Sequence, residues 1–93
     1  MQKMMSPQVF NKTLTVADTE YSQALNAGWG FEFQARTEVT IRFAFVADKV
    51  ATPTAPYMTL KPGQWYFVEG GNVETLYLAS ATAGTVVEII SWS

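Results

Sequence analysis

The chain has 93 residues, and at that length folding buries only about 64% of the surface the unfolded chain exposes, so it forms one marginal domain. It has no Cys and no His, which excludes disulfides, zinc fingers, haem ligation and iron–sulfur clusters and leaves oligomerisation as the external aid to stability. Six Lys and Arg scattered singly against eight acids, net charge −2, offer no basic stripe for nucleic acid, and no window approaches the roughly 20 apolar residues of a membrane span.

Only 15% of residues are charged while 48% are hydrophobic, and six Phe, four Tyr and three Trp are more aromatic surface than so small a core hides. The excess predicts a subunit interface. The opening residues Met1-Gln2-Lys3-Met4-Met5-Ser6-Pro7 lack the apolar run of a signal peptide, so the expected place of synthesis and residence is a cytoplasm.

In chain order, residues 1–10 are expected to be an N-terminal arm, Met-rich and ending in Pro7, Val9 and Phe10, ahead of a single domain over 11–93. Helical periodicity is nearly absent, and period-two alternation predicts strands from about residue 12 onward. The first is predicted over Lys12–Ala17 and the second over Glu20–Leu25, with Tyr21, Gln23 and Leu25 sharing a side and Asp18-Thr19 supplying the turn.

After Asn26-Ala27-Gly28, Trp29, Phe31, Phe33 and Ala35 alternate with Glu32, Gln34 and Arg36, predicting one core face, Trp29 included, and one wet face. Over Glu38–Ala47 the expected inward residues are Val39, Ile41, Phe43 and Phe45, while Ala44 and Val46 imply an outer face that is covered as well. Asp48–Pro56 has two prolines within four residues and is predicted to be an extended, exposed loop.

Tyr57–Leu60 is extended again, Lys61-Pro62-Gly63-Gln64 fits a type II turn, and a hairpin into Trp65–Glu69 is expected. Gly70-Gly71-Asn72 is a second tight connection into Val73–Ala81, with Leu76 and Leu78 on one face and Tyr77 on the other. Thr82-Ala83-Gly84 turns the chain into Thr85–Trp92, where Val87 and Ile89 share one face and Val86 and Ile90 the other. Seven or eight short strands at such spacing define an all-β antiparallel domain, a β-sandwich before a jelly roll or small barrel.

No catalytic constellation emerges. Without His or Cys the usual nucleophile–base pairs are missing. The acids stand singly, which makes solvated surface charge the plainer reading, and neither a calcium loop nor a phosphate-cradling glycine pattern is present. The expectation is a non-enzymatic protein with no cofactor or metal. Adjacent Trp65 and Tyr66 must point to opposite faces, so one of them leaves the core.

Residues 57–66 (Tyr-Met-Thr-Leu-Lys-Pro-Gly-Gln-Trp-Tyr) and 75–92, which end in a predicted terminal hairpin with Glu88 and Trp92, resemble small virion proteins of tailed bacteriophages. A weaker likeness runs through Phe31–Arg36 and Ile41–Phe45. The resemblance implies a head-decoration or cement protein of the virion, a homotrimer made in a bacterial host cytoplasm, bound to the major capsid protein or another virion component. It implies no enzymatic activity and no direct contact with nucleic acid or membrane. The expected interface is Met4, Met5, Phe10, Tyr57, Trp65, Tyr66, Val86, Ile90 and Trp92. The alternative is a carbohydrate- or receptor-binding module that stacks sugars on Tyr57 and the exposed member of the Trp65/Tyr66 pair.

Overall fold

The computed structural model describes residues 6–26, 28–69 and 73–92, the side chains of 73 and 74 excepted. Eight strands follow one another: β1 (Pro7–Leu14), β2 (Tyr21–Asn26), β3 (Gly30–Ala35), β4 (Ile41–Ala44), β5 (Met58–Leu60), β6 (Trp65–Glu69), β7 (Val73–Ala79) and β8 (Thr85–Trp92). They form two four-stranded antiparallel sheets, β1-β8-β3-β6 (sheet 1) and β2-β7-β4-β5 (sheet 2). Every connection except β4–β5 passes from one sheet to the other. That order is the jelly-roll form of the sandwich, two interleaved Greek keys.

The alternating positions meet between the sheets. Phe31, Phe33, Val87 and Ile89 from sheet 1 face Leu25, Ile41, Phe43, Leu76 and Leu78 from sheet 2, each nearly inaccessible. Phe33 and Phe43 meet edge to face across the gap, with centroids 4.9 Å apart and planes at 82°. Tyr66 leans on the same pair from β6, 5.0 Å from Phe43.

Several expectations change. The first strand starts at Pro7, not Lys12, so residues 7–10 are not an arm: they pair with Trp92, Ser91, Ile90 and Ile89. Met4, Met5 and Gly70-Gly71-Asn72 lie outside the described residues. The 61–64 turn forms as expected, with Gly63 at φ 80° and the Gln64 N–H donating to the Lys61 carbonyl at 3.1 Å. It joins β5 of sheet 2 to β6 of sheet 1, however, so no hairpin results. The terminal pair β7 and β8 likewise lies in different sheets. A turn motif specifies a local reversal, whereas the choice between pairing with the next strand and crossing over it depends on distant partners.

The loop Asp48–Pro56 is exposed over Thr52–Pro56 as expected, but it turns at Val50–Pro53 instead of running extended, and Val50 is drawn inside. The chain folds back over the outer face of sheet 2, burying Val50 completely against Ala44 and Ala79. Arg42, reaching outward from β4, donates from Nε to the Val50 carbonyl at 2.8 Å and from Nη2 to Asp18 Oδ1 at 2.8 Å. The Glu20 carboxylate accepts the Asp48 and Lys49 N–H groups. Ala44 is therefore covered as expected, but Val46 stays exposed. Arg42→Ala is expected to free this segment and lower stability by about 1.5–3 kcal/mol, since charge-assisted bonds to carbonyls and a carboxylate are lost together. Proteolysis within residues 45–57, alongside thermal melting, measures it.

Candidate functional site

The loop covers sheet 2 around Ala44 and Ala79, and the exposed outward residues of that sheet include the small or polar Ser22, Ala24, Asn26 and Thr59, so the apolar open face is that of sheet 1. Its outward residues form rows set by the strand register: Pro7, Trp92, Gly30 and Glu69; then Val9, Ile90, Glu32 and Phe67; then Asn11, Glu88, Gln34 and Trp65. Val9, Trp65 and Phe67 are exposed, while Val86, Ile90 and Trp92 are half-buried. Trp29, just past the start of β3, joins the first row through an N–H bond to the Trp92 carbonyl at 2.9 Å. All three Trp residues thus belong to one surface.

Trp29 was expected in the core and is 58% exposed. The alternation holds from Phe31, but Trp29 lies beyond the last paired residue, where no facing sheet remains to bury it. Gly30 explains the local shape. Its φ is 145°, and a Cβ there would meet the Val68 carbonyl oxygen at 2.6 Å and the Phe67 ring at 3.0 Å. Phe67 and Trp92 stand 6.4 Å apart with planes at 61°.

At the same end of the sandwich, beside β4 and β5, Phe45, Val46, Tyr57 and Met58 rim a second apolar hollow of about 250 Å³. Phe45, expected inward, is 41% exposed because β4 ends at Ala44, though its ring still meets Phe31 and Phe43 edge to face. Among the described residues, the exposed large apolar side chains all lie on the outer face of sheet 1 or at this end, Val16 excepted. The expected interface residues divide accordingly. Trp65, Val86, Ile90 and Trp92 share the open face, and Tyr57 rims the second hollow. Phe10 and Tyr66 instead turn inward and pack against the core.

The polar groups are tied into the scaffold. Glu88 Oε1 accepts from Gln34 and Oε2 from Arg36, both at 3.0 Å, and these bonds, Gln34's first, hold its carboxyl below the usual carboxylate range. The folded state therefore favours the ionised form: the contribution is present above the ordinary carboxylate value and disappears as pH falls through the lowered one. Comparing thermal melts of the wild type and Glu88→Gln between about pH 7 and about pH 3 should show their difference shrinking toward acid, by a small amount because the pair is solvent-screened. Asp18 and Glu20 serve the covering loop. Among the described residues no group of three or more Asp, Glu, His or Cys is placed to hold a metal ion.

No family model matches the chain, and no curated protein matches it by sequence. Two solved structures share its fold. A designed double-stranded β-helix superposes with a TM-score of 0.56 at 17% identity, over 95% of this chain and 99% of the designed one. A protein of the Bacillus endospore appendages, described as forming a novel family of disulfide-linked pili, superposes at 0.52 and 17% identity over 99% of this chain and 88% of its own. The class is thus the double-stranded β-helix, or jelly roll.

Proposed function

We propose that this chain is a non-enzymatic structural protein that assembles with copies of itself, and more specifically a homotrimeric head-decoration (cement) protein of a tailed-bacteriophage virion, seated on the major capsid protein. The observation that carries the assembly reading is the gathering of nearly all the exposed large apolar side chains of the described residues onto one face and one end. The virion reading rests on the resemblance of residues 57–66 and 75–92 to phage particle proteins. The shared fold of a pilus-forming Bacillus protein supports an assembling role. This chain has no cysteine, so its contacts are non-covalent and must come from apolar burial and edge pairing. On a symmetric shell, many equivalent weak contacts add to high avidity.

Light scattering at high micromolar concentration is expected to give the mass of a trimer, and Met58→Asp, at the rim of the second hollow, to reduce it to a monomer with unchanged circular dichroism. A stable wild-type monomer overturns self-assembly. Absence of co-sedimentation with shells of the major capsid protein, in the presence of a normal trimer, overturns the cement reading alone.

One observation favours carbohydrate binding as the second reading. Trp65 is 59% exposed beside a shallow hollow of about 200 Å³ whose lining includes Asn11, Glu32, Gln34 and Glu88, an aromatic platform flanked by amide and carboxylate groups. Reproducible glycan-array binding abolished by Trp65→Ala would establish it.

A further inference from the structure

We infer that the corner formed by Trp29, Phe67, Trp92 and Glu69 is a binding site for a small quaternary ammonium cation of the choline type. These four side chains line a hollow of about 350 Å³, at the small end of the roughly 300–1,000 Å³ of small-molecule sites. The corner must stand open for this, so Trp92 is assigned here to a ligand instead of a subunit contact, and the copies of the assembly meet through the second hollow rimmed by Phe45, Tyr57 and Met58.

The hollow is built by the backbone. Gly30, between Trp92 and Glu69 in the first row, has a φ of 145° that suits only glycine, and the lack of a Cβ lets the Phe67 ring take its place in the corner. Phe67 and Trp92 stand at 61°, presenting two differently oriented rings to one volume. Trp29 is held beside them by its N–H bond to the Trp92 carbonyl. Aromatic faces carry negative quadrupole charge and attract a cation within about 6 Å. The Glu69 carboxylate adds a full negative charge at the rim, and no Lys or Arg stands in either of the first two rows.

Other occupants fit less well. A sugar needs several convergent hydrogen-bonding groups, and beside the two indole N–H donors the side chains lining this corner offer only the Glu69 carboxylate. A primary ammonium is strongly hydrated and would exchange its water for a single carboxylate. A trimethylammonium group donates no hydrogen bonds and spreads its charge over apolar methyls, which match three rings.

The test is a titration with choline chloride, following the Trp indole N–H signals by NMR, with 3,3-dimethyl-1-butanol as the neutral carbon isostere. Saturable shifts are expected at Trp29 and Trp92 and not at Trp65, with the isostere binding at least about fivefold more weakly. Glu69→Gln should weaken choline binding roughly threefold and Trp29→Ala roughly tenfold, both with unchanged thermal melting. Equal binding of the isostere, or no saturable shift, overturns the site. Adsorption to phosphatidylcholine vesicles without saturable binding of free choline also overturns it, because the corner would then read a lipid surface.

Discussion

Phe33→Ala is expected to remove a large share of the stability of the domain. Phe33 is 1% exposed and meets Phe31, Phe43 and Tyr66, so its ring is the joint between the two sheets. Truncating a buried Phe costs about 3–5 kcal/mol, and the lost edge-to-face contact with Phe43 adds about 0.5–1.5. A 93-residue domain has only about 5–14 kcal/mol in total. Urea unfolding monitored by tryptophan fluorescence measures the loss. Phe33→Leu keeps most of the volume and should retain a cooperative transition at a lower midpoint; an alanine variant as stable as the wild type would contradict the shared aromatic joint.

The second large effect is expected at Gly30. Alanine there would have to adopt a φ of 145° and place its methyl carbon 2.6 Å from the Val68 carbonyl oxygen. That oxygen belongs to the ladder partner β6, while β8 closes the other side, so neither neighbour can retreat without breaking a register. Strain of this kind costs about 1–3 kcal/mol before the displaced ladder and the Phe67 ring are counted, so a loss of about 3 kcal/mol or more is expected. Chemical denaturation reads the stability, and near-ultraviolet circular dichroism reads the disturbed Phe67–Trp92 corner. A loss below about 1 kcal/mol would mean that the strand end relaxes freely.

The same two residues show where sequence reasoning succeeds. Phe33 is visible as core because it stands in an alternating run, as do Leu76, Leu78, Val87 and Ile89. The outward set Val86, Ile90 and Trp92 follows from the same alternation in β8. Trp29 and Phe67 do not follow: one lies past the end of pairing, and the other is exposed on an edge strand that period two alone does not distinguish from a central one. Tyr66 and Trp65 had to diverge, but which one entered the core depended on β6 pairing with β3, thirty residues away. For Phe10, the register with Ile89 at the far end of the chain decides that it turns inward.

By itself, then, the sequence determined an all-β chain, strand positions over most of its length, the inward residues of the central strands, the turn at 61–64 and the absence of Cys and His. Those properties are local: they follow from two-residue alternation, from the backbone demands of Pro62 and Gly63, and from composition. Tertiary structure alone decided that successive turns cross between sheets, that Val50 folds back onto sheet 2, and that three tryptophans distant in the chain share one open surface. The reason is physical. Each of these outcomes depends on which strands exchange backbone hydrogen bonds across long separations, and that pairing is settled by the burial of the whole core.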